Sequence, residues 1–147
     1  MSRLGVPFQV TFDCFDPDCL SRFWAEALHY KLQDPPAGYD TWEDFLRAQD
    51  IPEDEWNSAS AIVDPEGIGS RIYFQRVTNP KAGKNRVHLD VNVGGGRSVQ
   101  EEERKRRIQS EVERLIGLGA AKLNVVEETG EFWVVMADPE GNEFCLQ

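Results

Sequence analysis

The tetrapeptide Asp-Pro-Glu-Gly occurs twice in this chain, at residues 64–67 and again at residues 138–141. The two copies begin 74 residues apart, which is half the length of the 147-residue chain. Each copy follows one apolar run and precedes another. Asp-Pro starts a turn and Gly closes it, so each copy is typical of the loop of a β-hairpin. Because the flanking runs match as well, the sequence predicts a duplicated module.

Both halves show the same order of predicted elements. In the first half, residues 8–14 alternate between apolar and polar, which indicates a half-buried strand. Asp16 followed by Pro17 predicts the cap and first residue of a helix. In the second half, residues 87–93 repeat the alternating pattern, and Ser98 with Glu101 predicts a capping box. The other strands of the second half are predicted at 122–127, 132–137 and 142–147.

We therefore predict an α+β fold over residues 1–147, built from two tandem βαβββ modules at about 7–78 and 85–147. Each sheet packs one face on its own helix, so the free faces are expected to form a curved mixed sheet around a central cup, with the helices outside. Residues 35–57 interrupt the first module and have no counterpart in the second. This aromatic insertion is interpreted either as a lid over a ligand site or as a surface helix docked by its aromatic side chains.

Composition narrows the classes of partner and location. The formal net charge of −10 opposes binding to nucleic acid or to an anionic membrane surface. No apolar run approaches the roughly 20 residues that cross a bilayer. The three cysteines form no Cys-x-x-Cys spacing. We expect a cytoplasmic protein that binds a small molecule.

Polar side chains alternate with the apolar residues of four predicted strands and are expected to point into the cup. They are Gln9, Thr11 and Asp13; Arg71, Tyr73 and Gln75; His88, Asp90 and Asn92; and Glu143, Cys145 and Gln147. Such a set of convergent polar groups predicts a small-ligand pocket or a metal cage. Trp42, Trp56 and Tyr73 are candidates for stacking on a ligand.

The chain resembles the vicinal oxygen chelate superfamily, and within it the glyoxalase-like domain proteins. The residues that carry the resemblance are the repeated modules, Phe23-Trp24, residues 85–90 and residues 137–142, and the likeness covers about residues 7–147. It implies a glyoxalase, bleomycin-resistance or dioxygenase-like protein, commonly a homodimer.

Enzymes of that superfamily hold a divalent metal with four residues: His or Gln, then Glu, His and Glu. Carried onto this chain, those positions fall on Gln9, Gln75, His88 and Cys145. Two expected carboxylates are absent from this set, and amides bind hard cations weakly. We therefore expect no tightly bound metal cofactor, with a divalent metal as the less favoured alternative.

His88 is interpreted as a metal ligand, a general base or a polar pocket residue. Cys145 is interpreted as a thiolate activated by His88 or as an inert buried thiol. Two functions stay open. One is a lyase or isomerase that uses His88 and Cys145 as catalytic residues without a metal. The other is a non-catalytic protein that sequesters a drug-like molecule, with Gln9, Thr11, Tyr73, Gln75, Asp90, Trp42 and Trp56 binding the ligand.

Overall fold

The computed structural model describes residues 5–147 and divides the chain into two compact units, with the boundary between Pro80 and Lys81. The first unit contains β1 (Val10–Cys14), α1 (Pro17–Leu28), β2 (Lys31–Leu32), α2 (Trp42–Ala48), a 3-10 helix (Glu53–Ser58), β3 (Ala59–Val63) and β4 (Ile72–Arg76). The second contains β5 (Asp90–Val91), α3 (Glu101–Gly117), β6 (Ala121–Glu128), β7 (Glu131–Ala137) and β8 (Glu143–Leu146). The predicted α+β fold with two βαβββ modules is confirmed.

The two sheets have the same topology. Their strand orders are β1-β4-β3-β2 and β5-β8-β7-β6. In each sheet the first strand pairs in parallel with the last, and the other pairs are antiparallel. The duplication inferred from the sequence is therefore a duplication of whole modules.

In the first unit, α1 packs its apolar face on the sheet. Asp16 caps the helix by accepting a hydrogen bond from the backbone N–H of Cys19 at 3.1 Å. Trp24 is buried, and its ring lies 5.4 Å from the ring of Phe12, which in turn lies 5.3 Å from Phe74. These aromatic contacts identify the face of the sheet that belongs to the core.

In the second unit, α3 packs on β6, β7 and β8 and buries Ile108, Val112 and Leu115. Ile116, the next residue of α3, is 41% exposed. The predicted capping box is wrong. The helix begins at Glu101 behind Gln100, and no side chain caps it.

The alternating patterns overestimated the length of two strands. Phe8 and Val87, at the predicted strand starts, are 74% and 81% exposed. β5 is assigned only two residues, although backbone bonds to β8 run from the carbonyl of Leu89 to the N–H of Gly94. The alternating pattern predicts a strand, but where the strand ends depends on whether its side chains are covered in the fold.

Both Asp-Pro-Glu-Gly copies form the predicted hairpin loops, between β3 and β4 and between β7 and β8. Gly67 and Gly141 adopt φ values of 72° and 86°. The N–H of each glycine donates to the backbone carbonyl of the aspartate three residues earlier at 2.9 Å. Glycine is required there because the left-handed conformation strains other residues.

Among residues 5–147, no helix has the length and apolar character needed to cross a bilayer.

Candidate functional site

The polar residues predicted for the first module share the face of the sheet opposite α1. The core face is marked by Ser60, whose hydroxyl lies 2.8 Å from that of Ser21 in α1. The next residue of β3, Ala61, pairs with Tyr73 and so lies on the other face. Thr11 pairs with Tyr73 in the parallel register on that same face.

Asp13 and Gln75 are neighbours on this face, because they are paired in the register of β1 and β4. The side-chain amide of Gln75 donates to the carboxylate of Asp13 at 2.6 Å. Asp13 is therefore hydrogen-bonded within its own sheet, and the amide nitrogen of Gln75 is occupied.

Arg71 lies at the start of this face, just before β4. Its Nε–H donates to the side-chain oxygen of Gln33 at 2.7 Å, and its NH1 group donates to that of Gln9 at 3.0 Å. The guanidinium carbon lies 5.4 Å from the centre of the Tyr73 ring, within range of a cation–π contact. Among residues 5–147, Arg71 forms no ion pair; its polar partners are neutral amides.

A cavity of about 500 Å³ lies among the insertion at residues 35–57, the edge of this sheet and the first half of α1. Trp42 and Trp56 from the insertion line it together with Tyr73 and Arg71 from the sheet side. All three side chains predicted to stack on a ligand thus lie around one cavity. The indole N–H of Trp42 donates to the carbonyl of Gln33 at 2.7 Å, which fixes the orientation of that ring.

The insertion is ordered by its own contacts. Thr41 caps α2 by accepting a hydrogen bond from the N–H of Asp44 at 3.0 Å. The guanidinium of Arg47 lies 5.0 Å from the centre of the Trp56 ring, whose N–H donates to the carbonyl of Ile51 at 2.9 Å. The insertion therefore both docks on the unit and supplies two walls of the cavity.

Asn57 ties the end of the insertion to the start of α1. Its side-chain oxygen accepts from the N–H of Asp18 at 2.8 Å, and its amide donates to Asp16 at 2.8 Å. These bonds satisfy one of the free N–H groups at the helix N-terminus.

In the second unit, His88, Asp90 and Cys145 form one cluster. One ligand atom from each lies within 4.8 Å of the others. Asp90 and Cys145 are neighbours in the parallel register of β5 and β8. His88 Nε2 lies 3.2 Å from the carboxylate of Asp90, and both side chains are nearly half exposed.

The surroundings of Cys145 disfavour the thiolate form. Burial, followed by the negative charge of Asp90 and a hydrogen bond with it, raises the pKa of the thiol, and Lys84 opposes this only in part. A thiol with a raised pKa is protonated at neutral pH, and the thiolate is the reactive form.

Glu143, two residues before Cys145 in β8, is bound to the segment that enters the second unit. Lys81 Nζ lies 3.2 Å from its carboxylate, and the N–H of Asn85 donates to it at 3.1 Å. Burial alone would raise the pKa of Glu143, but the bonds from Asn85 and Lys81 lower it overall. This carboxylate is therefore ionised and already paired.

The strand registers correct the position expected for the second metal ligand. Cys145 pairs with Val135, which the repeat equates with Ala61, and Ala61 pairs with Tyr73. Tyr73, not Gln75, is therefore the counterpart of Cys145. The sequence comparison placed this ligand position two residues too late in β4, because it allowed for more inserted residues after residues 64–67 than the strand register contains.

The residues present do not fit a hard divalent cation. Tyr73 supplies a phenol where a carboxylate is expected, and the oxygen of Gln9 already accepts from the guanidinium of Arg71. The second unit offers a carboxylate outside the four superfamily positions, Asp90. With His88 and Cys145 it makes a mixed donor set of the zinc type, which would also need a deprotonated thiol.

Comparison with known proteins is consistent with this fold of paired βαβββ modules. The model of the glyoxalase-like domain family matches residues 9–147, and the chain belongs to that family. The resemblance to the vicinal oxygen chelate superfamily is thereby confirmed. A search of curated proteins found no match.

Three solved structures illustrate the shared fold. A glyoxalase/bleomycin resistance protein/dioxygenase family enzyme from Burkholderia phytofirmans is 15% identical, with 94% of each chain covered and a TM-score of 0.58. A mutant of the fosfomycin resistance protein FosX from Listeria monocytogenes, complexed with Mn(II) and 1S,2S-dihydroxypropylphosphonic acid, is 13% identical; 99% of this chain and 90% of that one are covered, with a TM-score of 0.61. TioX from Micromonospora is 14% identical, with 97% of each chain covered and a TM-score of 0.52. At these identities the likeness establishes the fold alone.

Proposed function

We propose that this protein binds a small aromatic molecule, non-covalently, in the cavity between its insertion and the first sheet. The observation that carries the proposal is the convergence of Trp42, Trp56 and Tyr73 on one cavity of about 500 Å³. That volume lies in the usual range for small-molecule sites, and aromatic walls with a few fixed polar groups are typical of them.

The chemistry of the other cluster supports binding over catalysis. Cys145 has a raised pKa and bonds to Asp90, which disfavours nucleophilic attack at neutral pH. The two superfamily metal positions in the first unit carry an amide and a phenol, which disfavours metal-assisted chemistry.

An enzyme that uses His88 is the second candidate. The observation in its favour is the pair formed by His88 and Asp90, because a carboxylate 3.2 Å from an imidazole nitrogen can orient it for proton transfer. In this candidate, His88 would take a proton from a small polar substrate, and Asp90 would stabilise the resulting imidazolium. If the protein converts a substrate, and this activity is lost in His88→Ala but kept in Trp56→Ala, the enzymatic function would be favoured over the binding function.

Intrinsic tryptophan fluorescence provides the test of binding. Titration with 2-naphthamide, a neutral planar probe, is expected to quench the fluorescence saturably. Trp42→Ala and Trp56→Ala should each weaken binding by about tenfold, because each removes an aromatic face of the cavity. Trp133→Ala, which removes a tryptophan from β7 of the second unit, is the matched control and should bind as the parent does.

Calorimetry on the same variants separates lost affinity from lost fluorescence, since it does not depend on the indoles. Circular dichroism confirms that each variant is folded. Equal affinity in the parent and in both cavity variants would contradict the proposed site.

A further inference from the structure

We propose that the natural ligand of the cavity is an aromatic carboxylate, whose anionic group is bound by Arg71. This inference rests on the proposed binding function and adds the chemical class of the ligand. It is carried by the surroundings of Arg71 and by the charges along the cavity wall.

The guanidinium of Arg71 is held in place without being neutralised. A guanidinium has five N–H donors, and Gln33 and Gln9 each accept from one of them. The other three donors make no hydrogen bond to the part of the chain that the structure describes. They are sufficient for the two parallel bonds that a carboxylate forms with arginine.

Both side-chain hydrogen-bond partners of Arg71 are neutral amides, so no carboxylate of the described chain offsets its charge. Amide oxygens orient the guanidinium group but do not neutralise its positive charge. The stacking of Arg71 on Tyr73 restricts it further, so little conformational entropy is lost when an anion binds.

The other charged residues at the cavity do not provide a positive charge with neutral partners. Arg22 is paired with Asp18 at 3.0 Å, so the two largely offset each other. Glu43 lines the exposed side of the cavity, in the first turn of α2. Arg71 is thus the lining cation with neutral partners, while Glu43 is the group that would instead favour a cationic ligand.

Three probes with one ring system and different charges test the inference: 2-naphthoate, neutral 2-naphthamide and 2-naphthylmethylammonium. Calorimetry on the parent protein is expected to show naphthoate binding about tenfold more tightly than naphthamide, because charge-assisted hydrogen bonds are the stronger ones. Raised salt should reduce this preference.

Arg71→Met keeps the aliphatic stem and removes the charge. It is expected to abolish the preference for naphthoate while leaving naphthamide binding within about threefold, since the aromatic walls remain. Arg97→Met is the matched control: it also removes one positive charge, from a side chain of the second unit that is 91% exposed and paired with Glu131. The control should keep the preference for naphthoate.

The outcomes separate the two proposals. If none of the probes binds the parent protein, the binding function itself fails, and this inference with it. If naphthamide binds as tightly as naphthoate, the function stands and the role of Arg71 is refuted. Tightest binding of the ammonium probe, lost in Glu43→Gln, would likewise overturn the inference. The comparison of probes on the parent protein decides the matter even if Arg71→Met does not fold.

Discussion

Asp138 and Asp64 occupy the same place in the two copies of the repeat, but replacing Asp138 by alanine is expected to destabilise the protein much more. Both carboxylates accept hydrogen bonds from backbone N–H groups of their own loops. They differ in burial: Asp138 is 3% exposed, whereas Asp64 is partly open to water. The free energy of unfolding should therefore separate two turns that have identical sequences.

The expected magnitude follows from the bonds of Asp138. Its Oδ1 accepts from the N–H groups of Glu140 and Asn142, both at 2.9 Å, and the side-chain amide of Asn142 donates to Oδ2 at 2.9 Å. Alanine would leave these donors without a partner in a site that water reaches poorly. A hydrogen bond to a charged group makes a net contribution to stability of about 1.5–3 kcal/mol. Because these bonds share one carboxylate, we expect a total loss of about 3 kcal/mol in the free energy of unfolding.

For Asp64, water can replace the lost carboxylate. The backbone N–H groups of Gly69 and Glu66 lower its pKa, in spite of the opposing effect of burial, which shows that the ionised form is the one these groups bind. The contribution of Asp64 to stability is therefore present above its unfolded pKa and is lost as the pH falls through the lower, folded pKa. Its loss should be clearly smaller than that of Asp138.

The assay is urea unfolding followed by circular dichroism, for Asp138→Ala, Asp64→Ala and the parent protein at pH 7. In thermal unfolding of the same variants, a loss of about 3 kcal/mol would lower the melting temperature by roughly 6–12 °C in a chain of this size. Asp138→Asn, which keeps one acceptor oxygen, should fall between the parent and the alanine variant. Equal losses in the two alanine variants, or an unchanged midpoint for Asp138→Ala, would refute the argument from burial.

Three further outcomes concern the second unit. Alkylation of Cys145 by iodoacetamide, followed by peptide mass spectrometry, should be slow at pH 7 and faster at higher pH, because the reactive thiolate is disfavoured by the raised pKa of the thiol. Asp90→Asn should shift the increase in rate to lower pH, and a fast reaction at pH 6 would contradict this expectation. Calorimetry with Mn²⁺ is expected to show no stoichiometric binding, since the donor set lacks the expected carboxylates; tight binding lost in His88→Ala would show the opposite. Sedimentation is expected to give twice the 16.7 kDa chain mass, that of a homodimer. Val125→Lys should lower the measured mass, because Leu123 and Val125 are exposed on the edge strand β6. A monomeric parent protein would rule out the homodimer.

The features that the sequence predicted well are those encoded by neighbouring residues. The two turns follow from Asp-Pro and Gly at fixed spacing, and α1 follows from Asp16-Pro17 and its apolar spacing. Strand existence follows from the alternation of side chains. The duplicated order of elements was predictable because it combines such local patterns twice. The strand ends were not, as Phe8 and Val87 show, because burial depends on what lies opposite.

The candidate site depends on contacts between distant residues, and there the sequence was insufficient. Arg71 meets Gln33 and Gln9 across 38 and 62 positions, and no local pattern predicts that these amides surround it. The parallel pairing of β5 with β8 places Asp90 beside Cys145, where its negative charge adds to burial in raising the pKa of the thiol.

The sequence by itself determined the duplicated βαβββ modules, their turns and the family, because turn chemistry and periodicity act over a few residues. The tertiary structure alone decided the strand register that makes Tyr73 the counterpart of Cys145, since pairing, rather than position along the chain, sets register. It also decided the cavity, because the insertion becomes a wall only when Trp42 and Trp56 face the sheet.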